Sequence, residues 1–185
     1  MTNAADRARL LAIARDAIDA RVTGSSKASI VTGDLATRLG GAFVTIHCRG
    51  ELRGCIGHIE PNRPLAQVVA QCAVSASTTD PRFPPITLAE LNDVEVELSL
   101  LGPLEPIAGP EDIEIGRHGL LVERGGRRGL LLPQVATEWT WDAATFLAQT
   151  CRKAGLPPHA WKEGANLWRF DAEVFGEPTG PASAR

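Results

Sequence analysis

The chain has 185 residues, 44% of them hydrophobic and 22% charged, which suits one folded domain or two small subdomains sharing a core and excludes a disordered polymer. Its net charge of -3 and pI near 5.8 come from interspersed charges, so nucleic acid is not an expected partner. The opening MTNAADRARLLAIARDAIDA mixes acids and arginines without the apolar core of a signal peptide, and no stretch approaches the ~18 to 20 apolar residues that span a bilayer. Four cysteines, Cys48, Cys55, Cys72 and Cys151, form no C-x-x-C pair, so we expect a soluble cytoplasmic protein with reduced thiols.

Residues 4 to 21 place Leu10, Leu11, Ala14, Ala17, Ile18 and Val22 at helical spacing, which predicts an amphipathic helix. The Gly, Ser and Thr-rich stretch that follows reads as an ordered connector. GAFVTIHCRGELRGCIGHI gives two short apolar, β-branched runs around Arg49-Gly50, the signal of a hairpin. Regular alternation then sets Arg53 and Cys55 on one face, with Leu52 and Ile56 on the other. Pro64 opens a second helix that carries Leu65, Val68, Val69, Cys72, Ala73 and Ala76 on one side until TTDPRFPP stops it. Val94 to Leu100 alternates as a half-buried strand.

GLLVERGGRRGLLLPQV signals a second hairpin at Gly125-Gly126, with LLLPQV closing a buried strand. WDAATFLAQTCRKAG reads as a helix with Phe146, Leu147, Cys151 and Ala154 in one stripe and a glycine stop at Gly155. NLWRFDAEVF is a final strand, and residues 176 to 185 read as a frayed tail. This order lacks regular strand and helix alternation, so the fold class is α+β, a mixed or antiparallel sheet with flanking helices.

Cys55, between Gly54 and Gly57 in ELRGCIGHIEP, draws attention first. A thiol reacts as thiolate, which a nearby cation such as Arg53 would favour, and flanking glycines would let a substrate or oxyanion-binding amides approach the sulfur. The competing reading is a small buried residue beside glycines that mark a bulge or bend. Cys72, Cys151 and Cys48 fall on apolar faces and read as core. A metal site from His47, Cys48, Cys55 and His58 lacks a standard ligand spacing and would draw on both strand faces, so no metal is expected.

Four blocks, GAFVTIHCRGELRGCIGHIEPNRPLAQVVAQCAV, DPRFPPIT, IEIGRHGLLVERGGRRGLLLPQV and FLAQTCRKAGLPPHAWKEGANLWRFDAEVF, together resemble the AMMECR domain family, called the AmmeMemoRadiSam system protein A in prokaryotes. The resemblance runs from about Gly41 to Phe175, with Leu52-Arg53-Gly54-Cys55-Ile56-Gly57 on the family's signature hexapeptide. It implies a single domain over residues 1 to 175, built of a larger and a smaller subdomain around a cleft. It also implies a Memo-family protein and a radical SAM protein as functional partners, an unidentified small-molecule ligand, no cofactor and no particular reaction.

His118, in the family's G-x-H-G-L block, is the best of the four histidines as a base for Cys55, against the reading of a histidine that caps a turn. His58 faces away from Cys55 in a regular strand, and His159 reads as a loop residue. DPRFPP offers Asp80 and Arg82 as an ion pair able to grip a carboxylate, with Phe83 plugging the core and Phe83-Pro84 a candidate cis bond. Gln134, at a strand end, could donate into a cleft. The sites expected are therefore catalytic Cys55, Arg53 and His118, with Gly54, Gly57, Arg82 and Gln134 contacting substrate. Either a cysteine-dependent enzyme or a non-catalytic module with this segment lining a groove fits the residues.

Overall fold

The computed structural model describes residues 2–25 and 33–177. The connector expected after the first helix falls in part, and the frayed tail almost wholly, outside the described residues. The chain divides into two compact units, one of them Leu101–Ala172 and the other made of the chain before it together with the segment from Glu173 on. Both combine antiparallel strand pairs with packed helices, an α+β fold.

In the first unit, helix α1 (Ala4–Thr23) starts at Asn3, whose side chain accepts the Asp6 amide, and ends at Gly24 in the left-handed conformation. Strands β1 (Gly41–Cys48) and β2 (Glu51–His58) form the expected hairpin. Its two turn residues, Arg49 and Gly50, have φ of 54° and 82°, as a type I′ turn requires. Helix α2 (Leu65–Thr78) and strand β3 (Val94–Leu101) follow, and strand order in this unit begins β2-β1-β3, with β2 at the edge. Leu10, Ile18, Val44, Ile46, Val69 and Leu98, all with no accessible surface, centre a core shared by α1, α2 and the sheet. Burying each such aliphatic side chain contributes roughly 1.5–3 kcal/mol.

The second unit starts with β4 (Glu105–Pro106) and a second tight hairpin, β5 (His118–Arg124) and β6 (Arg127–Leu131), whose turn glycines have φ of 58° and 77°. Two helices follow, α3 (Pro133–Glu138) and α4 (Ala143–Lys153), the latter capped by Asp142, which accepts the Thr145 amide. Strand β7 (Asn166–Gly176) pairs antiparallel with β5 and with β4. Leu120, Val122, Phe146, Leu147, Cys151 and Leu167 form this unit's own core.

Several expectations need correction. Phe83 is only half-buried, stacked under the Arg82 guanidinium at 5.4 Å; Ile86 is the residue of this segment that enters the core. The Phe83-Pro84 bond is trans. The strand before Pro133 ends at Leu131, and Gln134 lies in the short helix α3 that Pro133 opens. Cys48, at the hairpin end, is half-buried and not part of the core, whereas Cys72 and Cys151 are buried as expected.

Candidate functional site

Cys55 owes its position to one extra residue. A two-residue turn at Arg49-Gly50 with regular pairing would set Cys48 opposite Glu51, Ile46 opposite Arg53, and Val44 opposite Cys55. Because Val44 and Ile46 point into the core, both Arg53 and Cys55 would then point inward. The register instead shifts between Ile46 and His47: His47 pairs with Leu52, Ile46 with Gly54, and Thr45 with Cys55, leaving Arg53 as the bulged residue. Gly54 and Ile56 take the core face, and Cys55 turns to the face it shares with Thr45, Phe43 and Gly57. Leu52, expected beside Ile56, is thrown to the other side and is 42% exposed.

On that face the Thr45 hydroxyl donates to the Cys55 sulfur at 3.4 Å, and the thiol is half-buried. The peptide groups of Cys55 point away from β1, to the open side of the edge strand. There a side-chain pair receives them: the Asp80 carboxylate accepts the Cys55 amide at 2.9 Å, and the Arg82 guanidinium donates to the Cys55 carbonyl at 3.1 Å. Arg82 binds Asp80 in bidentate fashion, at 3.0 and 2.7 Å, and also donates its backbone amide to it. The Arg82 bonds hold the Asp80 carboxyl well below the usual carboxylate range, overcoming the opposing effect of burial, and the Cys55 amide adds to this. The DPRFPP ion pair thus grips the backbone of Cys55.

Arg53 is committed elsewhere. Its guanidinium binds Glu90 at 2.8 Å and the carbonyls of Pro84 and Pro85, tying the bulge to the proline segment. The Arg53 guanidinium, followed by the Thr87 amide and hydroxyl, brings the Glu90 carboxyl down to about 2. The glycines have packing reasons: a Cβ on Gly54 would run into the Ala76 carbonyl oxygen of α2, and one on Gly57 into the Phe43 ring. At these two positions the space that a side chain would take is already filled by the Ala76 carbonyl and the Phe43 ring. Burial pushes the Cys72 thiol up to about 11 and raises Cys151 as well.

His118 belongs to the other unit and opens β5. Its Nδ1 accepts the Glu114 backbone amide at 2.9 Å, closing the turn that also carries the His118 amide to the Glu114 carbonyl. An amide can only donate, so the proton of the neutral ring sits on Nε2. Nε2 lies 3.9 Å from an Asp171 oxygen, outside hydrogen-bond distance. Burial pushes the imidazole below its ordinary value, and the Arg169 charge adds to that. The turn-capping reading therefore describes its Nδ1, while Nε2 is open to chemistry. Gln134, half-buried on α3, has no side-chain hydrogen-bond partner among the described residues. His58 bonds Asn62, and His159 lies near Glu163. No cluster of three or more metal-ligating side chains exists among the described residues, and none of the described helices is long and apolar enough to cross a membrane.

Thr45, Asp80 as a backbone clamp, and Glu90 were not legible as parts of the site. Thr45 becomes the partner of Cys55 only through the bulge, and regular counting gives Val44 instead.

An α+β domain that displays a hydrogen-bonded cysteine on a clamped, bulged edge strand defines the class. The chain belongs to the AMMECR1 family, whose sequence pattern matches residues 11–175. A protein of Methanothermobacter thermautotrophicus is 48% identical over 177 residues, covering 91% of this chain and 92% of that one. Protein MJ0810 of Methanocaldococcus jannaschii is 49% identical over 146 residues, with 74% and 73% covered. The crystal structure of the uncharacterized protein PH0010 of Pyrococcus horikoshii has the same fold, with a TM-score of 0.82 and 40% identity over 92% of this chain and 90% of that one.

Proposed function

We propose that the protein is a Cys55-dependent enzyme, or the accessory subunit of one, in which the thiol is nucleophile or redox group and a Memo-family and a radical SAM protein are the functional partners. The observation that supports this reading is the bulge at Arg53. A sheet built only for packing would bury Cys55 against Val44 by simple pairing; here an inserted residue, two ion pairs and two tightly packed glycines accompany its turn to the opposite face. Arg82, with a side chain 52% exposed, keeps surface with which to meet an anionic substrate while clamping the Cys55 carbonyl. His118 is the proton-transfer group, acting through Nε2 because Nδ1 is engaged. Gln134 has the free amide to contact substrate.

Iodoacetamide alkylation of the native protein, followed cysteine by cysteine by mass spectrometry, tests the reading. Cys55 should react far faster than the buried Cys72 and Cys151. If it is as slow as they are, the enzyme reading fails.

One observation favours a second reading, a non-catalytic module that presents a groove. Arg53, Asp80 and Arg82 are all bonded within the protein, so the surroundings of Cys55 are as well suited to rigidity as to reaction. Under that reading Cys55→Ser would leave every cellular function of the protein intact.

A further inference from the structure

The turn Trp139-Thr140-Trp141, between α3 and α4, is held in a form that its sequence does not favour. The Thr140 amide donates to the Thr137 carbonyl and the Trp141 amide to the Ala136 carbonyl, the pair of bonds with which a left-handed residue closes a helix. That place usually belongs to glycine. Here a β-branched threonine fills it, with φ of 51° and its hydroxyl donating to the Trp139 carbonyl. The closure turns Trp141 onto the core, its ring centroid 6.4 Å from that of buried Phe146. Trp139 stacks on Trp141, the two indoles nearly parallel at 18° with centroids 6.1 Å apart, and keeps 66% of its surface in water. The result is a flat aromatic platform, backed by the core and bare on its outer side.

Charge beside the platform is of one sign. Glu138 and Asp142 flank the two indoles in the chain, and no lysine, arginine or histidine occurs from Gly129 to Cys151. Glu138 has no ion-pair partner among the described residues, and Asp142 caps α4 through the Thr145 amide. Arg117, next to the Gly116 that faces Thr137, is already bonded to Glu114 and Asp171. This unit also seats one of its own cations on an indole, with Lys162 Nζ 4.8 Å from the centre of the Trp161 ring. An indole face and a neighbouring carboxylate both select a cation, and a single flat face selects a planar one: a guanidinium stacks on it and still reaches a carboxylate in its own plane.

We infer that the Trp139-Thr140-Trp141 turn is a docking surface for an arginine-bearing segment of a partner protein, its guanidinium stacked on Trp139 and bonded to Glu138. The inference stands on this turn alone, whether or not Cys55 reacts.

Titration of the 15N-labelled protein with acetyl-Gly-Arg-Gly-Arg-Gly-amide at fixed ionic strength tests it, followed through the indole signals of Trp139 and Trp141. The arginine peptide should move both signals saturably, its lysine counterpart should bind about fivefold more weakly, and its uncharged, planar citrulline counterpart about tenfold more weakly. Trp139→Ala, read at the Trp141 indole, should weaken the arginine peptide about tenfold, and Glu138→Gln about threefold. Trp139→Phe keeps an aromatic face and should stay within about threefold of the wild type, which separates loss of the platform from loss of the fold. Absence of a saturable shift, citrulline binding as tight as arginine, an unchanged affinity in Trp139→Ala, or tighter binding of maltotriose to the same indoles would each overturn the inference.

Discussion

The two hairpins are built from one plan and differ in one place. Each turns through two residues of positive φ, and each lets a helix end approach closely over a strand glycine: Ala76 of α2 over Gly54, and Ala154 after α4 over Gly129. In β5–β6 the pairing then runs regularly from Arg124 opposite Arg127 to Leu120 opposite Leu131. In β1–β2 it is broken at Arg53, and the break determines which way Cys55 faces. Packing alone explains the regular hairpin. It gives no reason for the irregular one, where the thiol emerges.

Deleting Arg53 should have the largest effect in denaturant unfolding, because it removes the bonds to Glu90, Pro84 and Pro85. The pairs His47–Leu52, Ile46–Gly54 and Thr45–Cys55 then follow one another without a break, so Cys55 should keep its face and its alkylation rate; a rate that falls to that of Cys72 would mean that the Arg53 bonds, not the register, hold the thiol outward. Gly54→Ala and Gly129→Ala come next. Each sets a methyl group against helix backbone and should cost about 3 kcal/mol in denaturant unfolding, equally in the two hairpins. A clear inequality would show that one helix is free to yield.

Asp80→Asn should cost about 1–2 kcal/mol, since it weakens a buried clamp whose partner, Arg82, is half solvated. The pH dependence has a definite sign. Asp80 is held below its unfolded value of about 3.9, so its stabilisation is fully present above about pH 4 and is lost as pH falls further. The wild-type protein should therefore lose more stability than Asp80→Asn between about pH 4 and about pH 2. The regular hairpin supplies the smallest effect: Arg127→Ala, which removes an exposed bond to the Gly155 carbonyl, should change stability by about 0.5 kcal/mol or less.

Much of the fold was legible because its signals are local. Arg49-Gly50 and Gly125-Gly126 mark turns, alternation from Val94 to Leu100 marks a strand, and the α2 and α4 stripes mark buried faces. The bulge was not legible, since an alternating pattern contains no sign of which residue will be left unpaired. Asp80 and Arg82 could be recognised as a pair, but their target is a backbone 25 residues away, and backbone groups are the same in every sequence. Phe83 and Ile86 are both apolar and close in sequence, and only the packed structure shows that Ile86 enters the core while Phe83 lies under Arg82. His118 stood out by its glycine neighbours. The charges around it are spread from Glu105 to Asp171 and meet only in three dimensions.

The Asp80–Arg82 clamp has a further consequence for how the molecule behaves among its own copies. A strand at a sheet margin offers unused amides and carbonyls on which another chain can add a strand, the first step toward fibrils and swapped dimers. On β2 the central donor and acceptor are already taken by side chains that mimic a neighbouring strand, and the bulge beside them bends the strand away from flat pairing. The same two residues that fix Cys55 thus keep the margin of the sheet from recruiting another chain.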